Sequence, residues 1–151
     1  WSMFNKLSAV LDQTAARLPA RSAAYFWLFS GWAMVLWVLS SANPSLKQAN
    51  EIPHMDKVFH FIYFSVGGAL LAASTGLKWR SLSRGWLFLL IVLVCSLIGR
   101  LDEYHQGFVP GRTGNDSGDW LADTMGGLFG GAAVIWYLLP RIISATERDR
   151  G

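Results

Sequence analysis

The sequence predicts an all-α polytopic membrane protein, a four-transmembrane-helix bundle with an N-terminal amphipathic interfacial helix. Three observations predict it. Residues 22–46 hold no Asp, Glu, Lys, Arg or His, so the stretch 23–41 spans a bilayer on length alone. Three further uncharged runs, Phe61–Leu77, Gly85–Gly99 and Thr124–Pro140, hold 17, 15 and 17 residues. The 151 residues are 52% hydrophobic, with eight Trp, nine Phe and a mean hydropathy of +0.31. A soluble domain of this size would not carry such runs, and residues 1–151 read as one domain.

Each element has its own signature. Met3, Phe4, Leu7, Val10, Leu11, Ala15 and Leu18 recur at helical spacing, with Lys6, Asp12, Gln13 and Arg17 on other faces. Pro19 ends this amphipathic helix, which either lies along the cytoplasmic interface or packs on the inner end of the bundle. The transmembrane helices are expected at about 23–41, 56–77, 85–106 and 119–139. Ser40-Ser41-Ala42 faintly resembles a cleavage site, but the apolar run before it is longer than a signal peptide core, so the first span is retained. It exits near Asn43-Pro44, and a loop continues to Pro53. The basic link Lys78–Arg84 joins the second and third spans. Val109-Pro110-Gly111 and the Gly, Asn, Asp and Ser residues up to Gly118 form tight turns before the last span. Asp119 is placed to cap that helix, and Pro140 to end it.

Charge orients the bundle. With the N-terminus cytoplasmic, the inner segments hold nine Lys and Arg residues. The outer segments hold four (Lys47, Lys57, Arg100, Arg112) together with seven acids. This is the positive-inside bias, with both termini cytoplasmic. The pI near 9.3 therefore reports topology, and no nucleic-acid partner is expected. Cys95 is the sole cysteine and reads as packing. Gly126, Gly127, Gly130 and Gly131 form two overlapping GxxxG pairs, and Gly68 with Ala72 a small-xxx-small pair. These bring helices close within the chain, or, as the alternative, form a homo-oligomer seam.

The three short spans cover roughly 22–26 Å at about 1.5 Å per residue, against roughly 30 Å of hydrocarbon. Each must tilt, thin the bilayer or take its polar end into membrane depth. Those polar ends are Asp56, Lys57 and His60, then Arg100, Asp102 and Glu103, then Asp119 and Asp123. A charge at that depth costs roughly 2.5–3.5 kcal/mol on insertion scales, so several together require mutual pairing or a site. Asp56 and His60 are four apart and share a helix face, as do Asp119 and Asp123. Two carboxylates so spaced repel unless a cation, a proton or a basic side chain lies between them. Glu103 and Gln106 share a face, and Arg112 sits on a Gly-flanked turn where its guanidinium fits a carboxylate or phosphate.

Taken in order, Asp56-Lys57-x-x-His60, Asp102-Glu103-x-x-Gln106, Pro110-Gly111-Arg112 and Asp119-x-x-Ala122-Asp123-x-x-Gly126 closely resemble the VanZ-like membrane proteins, over about residues 54–131. Arg100 and His105 stand outside that pattern. The resemblance implies a bacterial inner-membrane protein with a cell-envelope role, in a family whose founding member is associated with low-level teicoplanin resistance. It supplies no reaction.

Two readings of the cluster follow. In the first, Lys57, Arg100 and Arg112 neutralise acids in a structural network, with Glu103 paired to Lys57. In the second, the excess of five acids over three bases marks a site. Its unmatched charge leaves room for a divalent cation (Mg²⁺, Mn²⁺ or Zn²⁺) or a cationic ligand, although the spacing matches no zinc signature. Lys57 and Arg112 point to a phosphate or carboxylate on a lipid-linked envelope precursor. Glu103 and His60 serve as acid/base, and Gln106, Asp56, Asp102, Asp119 and Asp123 as binding residues. A non-catalytic membrane module and a small transporter are the alternatives.

Overall fold

The computed structural model describes residues 2–42 and 54–148. The expected loop over 43–53, with Asn43-Pro44 and Lys47, lies outside the described residues. Among the described residues every regular element is helical: α1 (Ser2–Arg17), α2 (Ser22–Ser41), α3 (Met55–Lys78), α4 (Arg84–Gln106), α5 (Ser117–Ala133), a π-helical turn at Val134–Leu138, and α6 (Leu139–Arg148). Four helices are long and apolar enough to cross a membrane: α2, α3, α4 and the continuous Ser117–Arg148. Large side chains such as Trp27, Met34, Leu93, Leu97 and Phe129 are exposed on their outer faces, the pattern of helices surrounded by lipid rather than water.

Two ends differ from expectation. Pro140 does not stop the last helix. It has no N–H, and its ring crowds the carbonyl of the preceding turn. The chain answers with a widened turn in which the Leu139 N–H reaches the Val134 carbonyl, a π-bulge that lets the helix continue. Arg141 adds support by donating to the Tyr137 carbonyl at 2.8 Å. At the other end, the cap is Asp116 and not Asp119. Its Oδ1 accepts from the N–H groups of Gly118 at 2.6 Å and Asp119 at 3.4 Å, satisfying donors that the first turn leaves free.

The tightest seam joins α3 to α5. A Cβ at Gly126 would run into the Phe61 carbonyl, and one at Gly130 into the Ser65 carbonyl. Only glycine permits this approach. Gly127 and Gly131 face Cys95 and Ile91 of α4, so all four glycines pack within the chain, as their intramolecular reading expects. Phe64, Ile91, Cys95 and Ile135 are fully buried. Side chains tie the other helices by hydrogen bonds: Trp32 Nε1 to the Tyr63 carbonyl at 3.0 Å, Tyr63 OH to the Trp32 carbonyl at 2.7 Å, and Trp120 Nε1 to the Ser96 carbonyl at 3.1 Å. Away from water each such bond removes an otherwise unmet polar group.

α1 docks on α6. Arg141 Nε lies 3.0 Å from Asp12 Oδ1, and Ala15 is buried in the contact. Met3, Phe4, Leu7 and Val10 remain exposed.

Candidate functional site

The N-terminus of α3, the C-terminus of α4 and the N-terminus of α5 lie at the same end of the bundle, and their polar residues meet there. Lys57 is the hub. Its Nζ lies 2.9 Å from Asp119 Oδ1, and 3.2 Å from both Asp56 Oδ2 and Asp116 Oδ2. The expected Lys57–Glu103 pair does not form, because Lys57 is already surrounded by three other carboxylates. The Asp116 carboxyl is held below its usual range by the Gly118 N–H and the Lys57 ammonium. Asp116 is the site residue that sequence reasoning missed. The available signal was its position just ahead of the expected helix start, where caps belong.

Deeper in the bundle is a second set. His60 Nδ1 lies 2.9 Å from Asp123 Oδ1, and His60 Nε2 lies 4.0 Å from Asp119 Oδ2. A carboxylate only accepts, so Nδ1 carries the hydrogen. Asp123 is fully buried, seated six residues beyond the first residue of α5, or roughly 9 Å along the axis at about 1.5 Å per residue. Gly99 makes room for it: a Cβ there would stand 2.7 Å from Asp123 Oδ2. An isolated glycine inside an apolar helix is the signal that could have flagged this contact.

Glu103 is also fully buried. Its Oε2 accepts from the Asp116 N–H at 2.6 Å, and its main-chain carbonyl accepts from the Asn115 N–H at 3.2 Å. Gly114 brings the loop against this helix end, since a Cβ there would strike Gly107. Glu103 Oε1 and Asp123 Oδ2 have no hydrogen-bond partner among the described residues. A buried, unmet carboxylate oxygen is expensive.

Arg112 belongs to a different arrangement. It donates from Nε to the Ala42 carbonyl at 3.1 Å, from Nη2 to the Leu39 carbonyl at 2.8 Å and from Nη1 to Gln106 Oε1 at 3.0 Å. Gln106 Nε2 in turn donates to Asp102 Oδ2 at 2.7 Å. The turn expected to offer Arg112 to a carboxylate or phosphate instead commits two of its five N–H donors to the last carbonyls of α2 and a third to Gln106. Nearby, Trp37 stacks on His105 at 3.9 Å and His105 Nε2 lies 3.0 Å from Ser41 Oγ, which fastens α2 to α4. Arg100 is exposed and joins none of these groups.

A cavity of about 640 Å³ reaches this end of the bundle. His60, Asp102, Gln106 and Arg112 line its polar end, and Leu36, Tyr63 and Phe64 its apolar wall. Leu39, Phe59, Ile62 and Val66 also line it, and each is about half exposed or more, so the cavity opens sideways between α2 and α3.

A family model described as VanZ/LLP1 matches residues 1–139. The chain belongs to the VanZ/LLP1 family. No curated protein and no solved structure matched it. In this VanZ/LLP1 protein the ordered motifs of the sequence fall together in space: Asp56, Lys57 and His60 on α3, Asp102, Glu103 and Gln106 on α4, and Asp119 and Asp123 on α5, with Arg112 on the loop between. Chemically, the site combines a fixed ammonium, an imidazole held in one tautomer and buried carboxylate oxygens with spare acceptor capacity. Such a set can hold a cation, move a proton, or position a polar head group beside an apolar slot.

Proposed function

We propose that this VanZ/LLP1 protein binds, and is equipped to process, the head group of a lipid-linked anionic ligand in the bacterial cell envelope, a polyprenyl phosphate or peptidoglycan precursor. One observation carries the reading: the cavity has an apolar side opening between α2 and α3 and a polar end at His60, Asp102, Gln106 and Arg112. A water-soluble ligand has no use for a slot open to lipid. A lipid can place its chain along Leu36, Phe59, Ile62 and Val66 with its head group at the polar end. Arg112 retains two of its five N–H donors beyond the three bonds it makes, which serves an anionic oxygen. Glu103 and His60 stand by as acid and base.

In this reading the site faces the extracytoplasmic side of the inner membrane, with both termini in the cytoplasm. The family name ties the protein to glycopeptide resistance, and the teicoplanin type falls within the proposal. Native mass spectrometry of the purified protein should find a co-purifying phosphate-bearing lipid. Release of phosphate from an added polyprenyl pyrophosphate would assign a reaction as well as a ligand. A protein that carries no such lipid and takes none up would overturn the reading.

A further inference from the structure

We infer that His60, Glu103 and Asp119 bind a divalent first-row metal ion, with Asp123 orienting the histidine. The inference rests on site geometry and goes beyond the lipid reading: with an ion bound, Glu103 and His60 act as its ligands in place of the acid and base roles given above. Within this end of the bundle two trios of donors each lie within 4.8 Å of one another: Asp56, Asp116 and Asp119, and His60, Glu103 and Asp119. The first already has its cation, since Lys57 Nζ sits among all three carboxylates at 2.9 to 3.2 Å. The second shares Asp119 with it: Lys57 takes Asp119 Oδ1 at 2.9 Å, while Oδ2 faces His60 Nε2 at 4.0 Å. Donors sharing one metal at about 2.1 Å stand roughly 3.0–3.4 Å apart, so the second trio is slightly open and closes on an ion by small rotamer shifts.

Two independent features point to the ion. Glu103 has no exposed surface, and with Oε2 engaged by the Asp116 N–H its Oε1 is left without a partner among the described residues. A metal satisfies that oxygen. His60 has the second-sphere partner typical of metal-binding histidines: Nδ1 donates to the buried Asp123 at 2.9 Å, which fixes the tautomer, leaves the Nε2 lone pair free and raises ligand basicity. Nε2 is the nitrogen on the Asp119 side. One imidazole with two carboxylates favours Mn²⁺ or Zn²⁺ over Ca²⁺, which takes six to eight oxygens. Three protein donors leave coordination positions for water or for an oxygen of a bound anion.

The test is metal titration of the detergent-purified, chelator-stripped protein, with Mn²⁺, Zn²⁺, Mg²⁺ and Ca²⁺ separately and no lipid ligand added. We expect one equivalent of Mn²⁺ or Zn²⁺ per chain and at least tenfold weaker binding of Ca²⁺. Electron paramagnetic resonance of the Mn²⁺ form should show coupling to one imidazole nitrogen. Glu103→Gln should weaken binding at least tenfold and Asp123→Asn by 10–100-fold, the range for loss of a second-sphere partner. Asp12→Asn, at the α1–α6 contact, should leave it unchanged. No stoichiometric binding to the unmodified chain, or a bound Mn²⁺ without nitrogen coupling, overturns the inference even if every variant fails to fold. Because the readout is the metal alone, that failure leaves the lipid reading standing, and loss of lipid binding leaves the metal site standing.

Discussion

Asp123 on α5 holds His60 on α3 at 2.9 Å, across the seam where Gly126 and Gly130 let the two helices touch. The fold and the site are therefore one construction. Close glycine packing brings a buried carboxylate to a partly buried imidazole, and Gly99 on α4 leaves the space that carboxylate fills. Gly99→Ala should consequently act on the site from a neighbouring helix. The added methyl meets Asp123, and the expected cost is about 1–3 kcal/mol of overpacking. Thermal unfolding in detergent, read beside Gly31→Ala, checks it, because a Cβ at Gly31 meets nothing within 4 Å.

Asp116 predicts a pH dependence. Its carboxyl is held low by the Gly118 N–H and Lys57, so the folded state binds its proton less readily than the unfolded chain. The stabilisation is present above the ordinary value of 3.8 and is lost as pH falls through the lower folded value. Asp116→Asn keeps a capping side chain but loses the charge. It should lower Tm above pH 5 and flatten the fall in Tm below pH 4. An unchanged acid limb would exclude this role.

Much of this was legible in the sequence because hydrophobic length and charge position are sequence properties. The uncharged runs located α2, α3 and α4 and the start of α5 to within a residue or two, and the short spans implied that Asp56, His60, Glu103 and Asp119 share one end. Arg112 was less legible. Its partners are the backbone carbonyls of Leu39 and Ala42, which leave no mark in residue identity. Pro140 misled for the opposite reason: the residue advertises a helix end, but a π-bulge and the Arg141 side chain absorb its cost.

The Arg112 geometry changes what its substitution should do. Arg112→Lys keeps the charge but cannot reach Leu39, Ala42 and Gln106 together. Loss of hydrogen bonds from a charged donor should cost about 1.5–3 kcal/mol, seen as a lower Tm and as faster proteolysis at the end of α2. Glu103→Gln, with one oxygen unpartnered, should melt close to the parent while its ligand binding falls. Equal loss of stability in both variants would reduce the cluster to a structural network.

Topology has a direct readout. Cys95 is buried, so single cysteines introduced at the exposed Thr113 and Ser83 report alone. The basic asymmetry expects an impermeant thiol reagent to modify Thr113→Cys from outside intact cells and Ser83→Cys only after permeabilisation. The reverse would place the site in the cytoplasm.

The account stands most directly on whether a lipid enters between α2 and α3. Equilibrium binding of polyprenyl phosphate and of the uncharged polyprenol to the protein in nanodiscs measures this. Ile62→Trp, which adds bulk at the half-exposed apolar lining of the side opening, is the decisive variant. The account predicts at least tenfold tighter binding of the phosphate than of the alcohol, and loss of that binding in Ile62→Trp with Tm preserved. Equal affinity for the two lipids, or full binding with the opening filled, would contradict it.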